Sequence, residues 1–64
     1  MIVTIRMINK DTFTVAGKQA ETFIEKSNNK NIMWVVITST EGYKESLNKH
    51  NISSFTVQNV GKGE

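Results

Sequence analysis

The stretch Ile32-Met33-Trp34-Val35-Val36-Ile37 decides the fold, because it is the most continuously apolar segment of the chain. β-Branched residues dominate it, and a short run of this kind is typical of a strand that is covered on both faces. A single helix covers only one face of a sheet. We therefore expect a helix on one side of this strand and a different cover on the other.

Two strands and a helix are predicted before this segment. Ile2–Ile8 and Thr12–Ala16 alternate apolar and polar residues on either side of the turn-forming run Asn9-Lys10-Asp11, which predicts a hairpin. From Lys18 to Ser27 the apolar residues recur with helical spacing. The run Asn28-Asn29-Lys30-Asn31 is predicted to stop the helix, because Asn can adopt the left-handed conformation of a C-terminal cap.

Shorter elements follow it. Tyr43–Leu47 fits a short return strand or an edge strand, and Asn48–Asn51 fits a turn or a single helical turn. Ile52–Val60 alternates again, which predicts a last strand with Phe55 and Val57 on one face.

These elements predict a small α+β domain in the order β-β-α-β-β-β. One helix packs on one face of a curved, mainly antiparallel sheet. The domain is predicted to span residues 1–60, and residues 61–64 are predicted to be a flexible tail. A chain of 64 residues and 7.2 kDa has room for one such domain only.

The size of the core predicts self-association. A domain this small gains only about 3–5 kcal/mol from its core, and it contains no Cys for a disulfide. Either the sheet curls into a partial barrel, or two copies pack together; we favour a homo-oligomer, most simply a dimer. The residues expected to form the core and the oligomer interface are Met33, Trp34, Val35 and Ile37.

Composition argues against an enzyme and against a membrane protein. His50 is the only histidine and Asp11 the only aspartate, and no Ser lies in a nucleophile motif. The sequence therefore predicts no catalytic residue, no metal ligand set and no cofactor. It contains no apolar run of the roughly 20 residues that a spanning helix needs, so a cytoplasmic location is expected.

A surface formed by turns is the predicted binding site. Tyr43, Lys44, Lys49 and His50 all lie in or beside predicted turns, where side chains are presented to a partner. The net charge of +2 is too mild to predict a polyanion partner by itself. Binding of RNA or DNA by a small β-rich protein stays the alternative, because basic side chains and aromatic rings recur together in these turns.

The chain also resembles short uncharacterised proteins of phages and prophages of Gram-positive bacteria. Three pieces carry the resemblance: Thr12-Phe13-Thr14-Val15, the helix Ala20–Lys26, and the ending Leu47–Val57. The resemblance implies a protein that binds and modulates or inhibits a host protein, including proteins of bacterial defence. It assigns no functional residue. The expected function is thus a non-enzymatic protein–protein interaction module.

Overall fold

The computed structural model describes residues 1–59 and contains five strands and one α-helix. In chain order the elements are β1 (Ile2–Met7), β2 (Thr12–Ala16), α1 (Lys18–Ser27), β3 (Trp34–Thr38), β4 (Lys44–Asn48), a 3₁₀ turn (Lys49–Asn51) and β5 (Ile52–Gln58). The predicted α+β class and element order are confirmed. The predicted tail, residues 61–64, and Val60 lie outside the described residues.

The five strands divide into two antiparallel sheets, where the sequence predicted a single curved one. One sheet has the order β2-β1-β5, and the other is the hairpin β3-β4. A backbone hydrogen bond of 2.8 Å from the Thr40 N–H to the Thr14 carbonyl links the two sheets. Phe13, Tyr43 and Glu45 line the cleft between β2 and β4.

The turn between β1 and β2 uses the side chains that predicted it. The Asp11 N–H donates to Asn9 Oδ1 over 3.0 Å, and Asn9 Nδ2 donates to Asp11 Oδ2 over 3.1 Å. The positive φ of this turn falls on Lys10, at 78°, between the two residues that make these bonds. Local side-chain bonds of this kind stabilise a left-handed residue in a tight turn.

One core joins both sheets to the helix. Its buried members are Val3, Ile5, Val15, Ala20, Phe23, Val35, Ile37 and Leu47. They come from the inner faces of β1 to β4 and from one side of α1. In β1 and β2 the burial of alternate residues is what their period-two pattern predicted. In β3 the sequence predicted cover on both faces, but only alternate residues are buried.

Helix α1 is fixed at both ends by backbone contacts. The Glu21 N–H donates to the carbonyl of Gly17, which precedes the helix with a φ of 59°. At the other end Asn28 donates to the Ile24 carbonyl. Asn28 has φ −85° and ψ −7°, and Lys10 is the one non-glycine residue of 1–59 with a positive φ, so the predicted left-handed asparagine cap was wrong. The helix ends instead in a right-handed turn. The side chain of Lys49, which follows β4, donates to the carbonyl of Lys26 in the last turn of the helix.

Candidate interaction surface

The outer face of the β3–β4 hairpin is the candidate site. Side chains alternate between the faces of a strand, and Val35, Ile37 and Leu47 point into the core. Their neighbours therefore point outward. We call this outward set the Trp34 face; its residues are Trp34, Val36, Thr38, Lys44, Ser46 and Asn48.

Two large apolar side chains are exposed on this face. Trp34 is 58% exposed and Val36 is 54% exposed, although both belong to the stretch with the strongest apolar character in the chain. They are two residues apart on one strand, which places them about 7 Å from each other on the same side. Met33, which precedes β3, is 43% exposed. Exposed apolar side chains that adjoin in this way are typical of a surface that contacts another macromolecule.

The electrostatics of the Trp34 face are nearly neutral. Lys44 is its one ionisable residue, and the register places it opposite Thr38 at the far end of the hairpin from Trp34. Trp34 itself lies opposite Asn48, and Val36 lies opposite Ser46. The face therefore presents an aromatic ring and a branched side chain with a polar, uncharged rim. Tryptophan is one of the residues enriched among those that contribute most to binding at protein interfaces.

The structure divides the four residues of the predicted binding surface among different places. Tyr43 is 64% exposed, but it lines the cleft between β2 and β4. Lys44 lies on the Trp34 face. His50 is exposed in the 3₁₀ turn, where its backbone N–H donates to Asn48 Oδ1. The length of β4 separates Tyr43 and Lys44 from Lys49 and His50, so the four do not form one surface.

Lys49 has a structural contact that its place in a turn did not predict. Its Nζ donates to the carbonyl of Asn29 over 2.7 Å and to that of Lys26 over 3.3 Å. These carbonyls belong to the last turn of α1 and the residues just after it. A cation is favourable there because the negative end of the helix dipole lies at the C-terminus. Lys49 thus ties the 3₁₀ turn to the helix.

The predicted core and oligomer-interface residues separate by face. Val35 and Ile37 are buried, at 0% and 1% exposure. Met33 and Trp34 are exposed in the single chain. The second cover that the apolar run predicted is thus not supplied by residues 1–59, and the Trp34 face is the uncovered side of β3.

A further apolar cleft lies between the β1–β2 turn and β4. It has a volume of about 360 Å³, and its lining includes Met7, Ile8, Phe13 and Leu47 together with the carboxylates of Asp11 and Glu45. The sequence does not predict this cleft, because its lining residues come from segments far apart in the chain. Ile8, which the sequence placed in the first strand, lies in the turn after β1 and is 63% exposed.

Neither a metal site nor a membrane span is seen within residues 1–59. No three His, Cys, Asp or Glu side chains of that part of the chain lie together in a metal-binding arrangement. Helix α1, the one α-helix of the same residues, is too short and too polar to cross a bilayer.

Searches of protein families, of curated proteins and of solved structures found no match to this chain. Function has therefore to be inferred from the surface of the chain itself.

Proposed function

We propose that this chain is a non-enzymatic protein-binding module and that the Trp34 face is its binding surface. The observation that carries the proposal is the exposure of Trp34 and Val36 side by side, at 58% and 54%. Leaving both side chains in water is unfavourable, because each Å² of apolar surface costs about 25 cal/mol when it is exposed. A partner that covers them recovers this free energy on binding.

The chemistry of the face favours a protein over a nucleic acid. A nucleic-acid site combines stacking rings with several cations that contact phosphates. On the Trp34 face Lys44 is the one cation, and it lies at the opposite end of the hairpin from the tryptophan ring. Lys49, the next basic residue along the chain, donates to backbone carbonyls. The complementary surface is thus an apolar patch with hydrogen-bonding groups at its rim.

A bacterial host protein is the partner that we propose. The resemblance to proteins of phages and prophages supports this choice, since such proteins act by binding and modulating or inhibiting host proteins. It also supports the bacterial cytoplasm as the place of action. Binding by surface complementarity requires no catalytic residue, in keeping with the scattered ionisable groups of this chain.

A tagged pull-down from the lysate of a Gram-positive bacterium tests this proposal. The wild-type chain is compared with Trp34→Ala and with Tyr43→Ala, and each capture is run with and without nuclease. Tyr43 is the matched control because it is an equally exposed aromatic residue on the cleft side of the hairpin. We expect a stoichiometric protein that survives nuclease and is lost only with Trp34→Ala.

Two results would contradict the proposal. One is capture that depends on nucleic acid and disappears with nuclease or with moderate salt, which is the behaviour of a phosphate-binding surface. The other is a protein that Trp34→Ala and Tyr43→Ala retain equally, because the Trp34 face would then take no part in the contact.

A further inference from the structure

Within residues 1–59, strand β5 has an open edge. It is the last strand of the sheet β2-β1-β5 and the longest strand of residues 1–59. Within those residues no backbone group of Ser54–Gln58 bonds to any strand other than β1. The outer edges of β2 and β3, by contrast, are hydrogen-bonded to other parts of the chain. Thr40 donates to the edge of β2, and the Gln19 side chain accepts from the Thr38 N–H at the edge of β3.

The hydrogen-bond pattern of β1 shows which groups face that edge. The Gly17 N–H donates to the Met1 carbonyl over 3.0 Å, and the Met7 N–H donates to the Asp11 carbonyl over 2.8 Å. Odd-numbered residues of β1 therefore bond toward β2. Backbone groups alternate in direction along an antiparallel strand, so the even-numbered residues bond toward β5.

This alternation extends to β5 through the observed register. Thr4 pairs with Thr56, so the N–H and C=O of Thr56 point toward β1. The N–H and C=O groups of its neighbours Phe55 and Val57 point outward to the open edge. The same rule makes the even-numbered residues of β2 point outward, and the bond from Thr40 to the Thr14 carbonyl has that direction.

The side chains along this edge lack the usual protection against pairing. Ile52–Gln58 contains no charged residue and no proline, the two features that most often block an edge strand. The register shift lies at the start of the strand, which leaves Ser54–Gln58 regular. Phe55 and Val57 stay 38% and 43% exposed, although they lie on the inner face beside buried Ile5 and Val3.

We propose that a second copy of this chain pairs antiparallel with β5, with the two-fold axis at Thr56. In this register Phe55 of each copy lies opposite Val57 of the other. Their outward N–H and C=O groups then form two reciprocal pairs of hydrogen bonds. Thr56 faces its own copy, and Ser54 faces Gln58, so none of the paired residues is charged. On the outer face Arg6 Nη1 of each copy donates to Thr56 Oγ1 over 2.8 Å, which places one guanidinium on either side of the axis.

The edge of β5 is complementary to itself, and we therefore propose a second copy of the chain as the partner that pairs with it. Only a register centred on Thr56 places the outward-facing Phe55 and Val57 of one copy against the same two residues of the other. On the inner face, the side chains of Phe55 and Val57 from both copies then form a continuous apolar strip. Each copy thereby covers part of the Phe55 and Val57 surface that α1 leaves exposed in the other copy. Cross-strand pairs of an aromatic and a β-branched residue are among the favourable ones.

The dimer would be a six-stranded sheet in the order β2-β1-β5-β5-β1-β2. Its axis is perpendicular to the sheet, so both helices lie on one face. The pairing uses no residue of the Trp34 face, and the dimer therefore carries two of these faces. This inference goes beyond the proposed function, since either interface can exist without the other. A partner with two sites would be bound more tightly by this arrangement.

Sedimentation of the full 64-residue chain over a range of concentrations is the first test. We expect a species of twice the 7.2 kDa chain mass that dissociates on dilution. Val57→Lys places a charge on the inner face at the junction and is expected to abolish the dimer. Gln58→Lys is the matched control: it adds the same charge on the outer face of the same strand, and the dimer is expected to persist.

Nuclear magnetic resonance of the wild-type chain tests the register without any variant. The α-protons of Ser54 and Gln58 are about 13 Å apart within one extended strand. In the proposed dimer they lie directly opposite each other across the junction, so a nuclear Overhauser effect between them is intermolecular. The Phe55 and Val57 amides are also expected to exchange more slowly as concentration rises.

Three outcomes would overturn the proposal. One is a chain that stays monomeric up to millimolar concentration. Another is a dimer that folded Val57→Lys retains, with folding judged by circular dichroism. The last is a dimer without the contact between Ser54 and Gln58.

Discussion

Phe23 and Trp34 together test the observed packing, because both are large aromatic residues and only Phe23 is buried. Phe23 is 0% exposed, and its ring meets the Phe55 ring edge-on, with 5.1 Å between centroids and 89° between planes. Trp34 is 58% exposed. The prediction is that alanine at each position has very different effects on the free energy of unfolding.

The magnitudes follow from burial. Replacing a fully buried Phe by Ala removes about 3–5 kcal/mol. A 64-residue domain is stable by only about 3–10 kcal/mol in total, so Phe23→Ala is expected to lose much or all of its folded population. Trp34 has less than half of its surface covered, about 100 Å² of a side chain of about 250 Å². At about 25 cal/mol per Å², Trp34→Ala is expected to cost at most about 2.5 kcal/mol and to stay folded.

Urea unfolding followed by far-ultraviolet circular dichroism measures both variants against the wild type at one protein concentration. Fluorescence is unsuitable here, because Trp34 is the only tryptophan. If Trp34→Ala proves as destabilising as Phe23→Ala, the reasoning is refuted. Such a result would mean that the outer face of β3 is covered in solution, as the sequence alone had predicted.

Other predictions concern single contacts that thermal or urea unfolding can check. Lys49→Met keeps the side-chain stem but loses the bonds to the Asn29 and Lys26 carbonyls, and we expect a loss of about 1 kcal/mol. Lys44→Met, at an exposed position, should change stability by less than about 0.5 kcal/mol, and equal losses would contradict the Lys49 contact. Gly42 has a φ of 91° with open space around it, so Gly42→Ala should cost about 1 kcal/mol through backbone strain alone. Gly42→Asn should cost less, and the reverse order would count against the left-handed turn.

The periodic patterns made the elements predictable from the sequence. The helix Lys18–Ser27 and the alternation of β5 were predicted because an amphipathic segment shows its buried face in its own period. Tyr43–Leu47 was ambiguous between a return strand and an edge strand, and the structure confirms a strand at Lys44–Asn48. Which side chains of β3 are covered was not predictable, because a continuous apolar run does not say which of its faces lacks a neighbour.

The candidate site was predicted only in its parts. The sequence predicted Trp34 as part of the core and the oligomer interface from its apolar surroundings, whereas its exposure follows only from the observed register and the position of α1. The proximity of Lys49 to the end of α1 depends on a contact 20 residues away along the chain, measured from Asn29, and no local pattern encodes it. The open edge of β5 depends on strand order, which the sequence left undetermined.

Site-specific photo-crosslinking in bacterial cells tests the Trp34 face most directly. A photoreactive amino acid replaces Val36 on that face in one variant and exposed Glu21 on α1 in another. We expect a discrete protein adduct from position 36 that is absent from position 21 and that disappears when Trp34→Ala is added. Equal adducts from both positions, an adduct with nucleic acid, or an adduct that survives Trp34→Ala would contradict it.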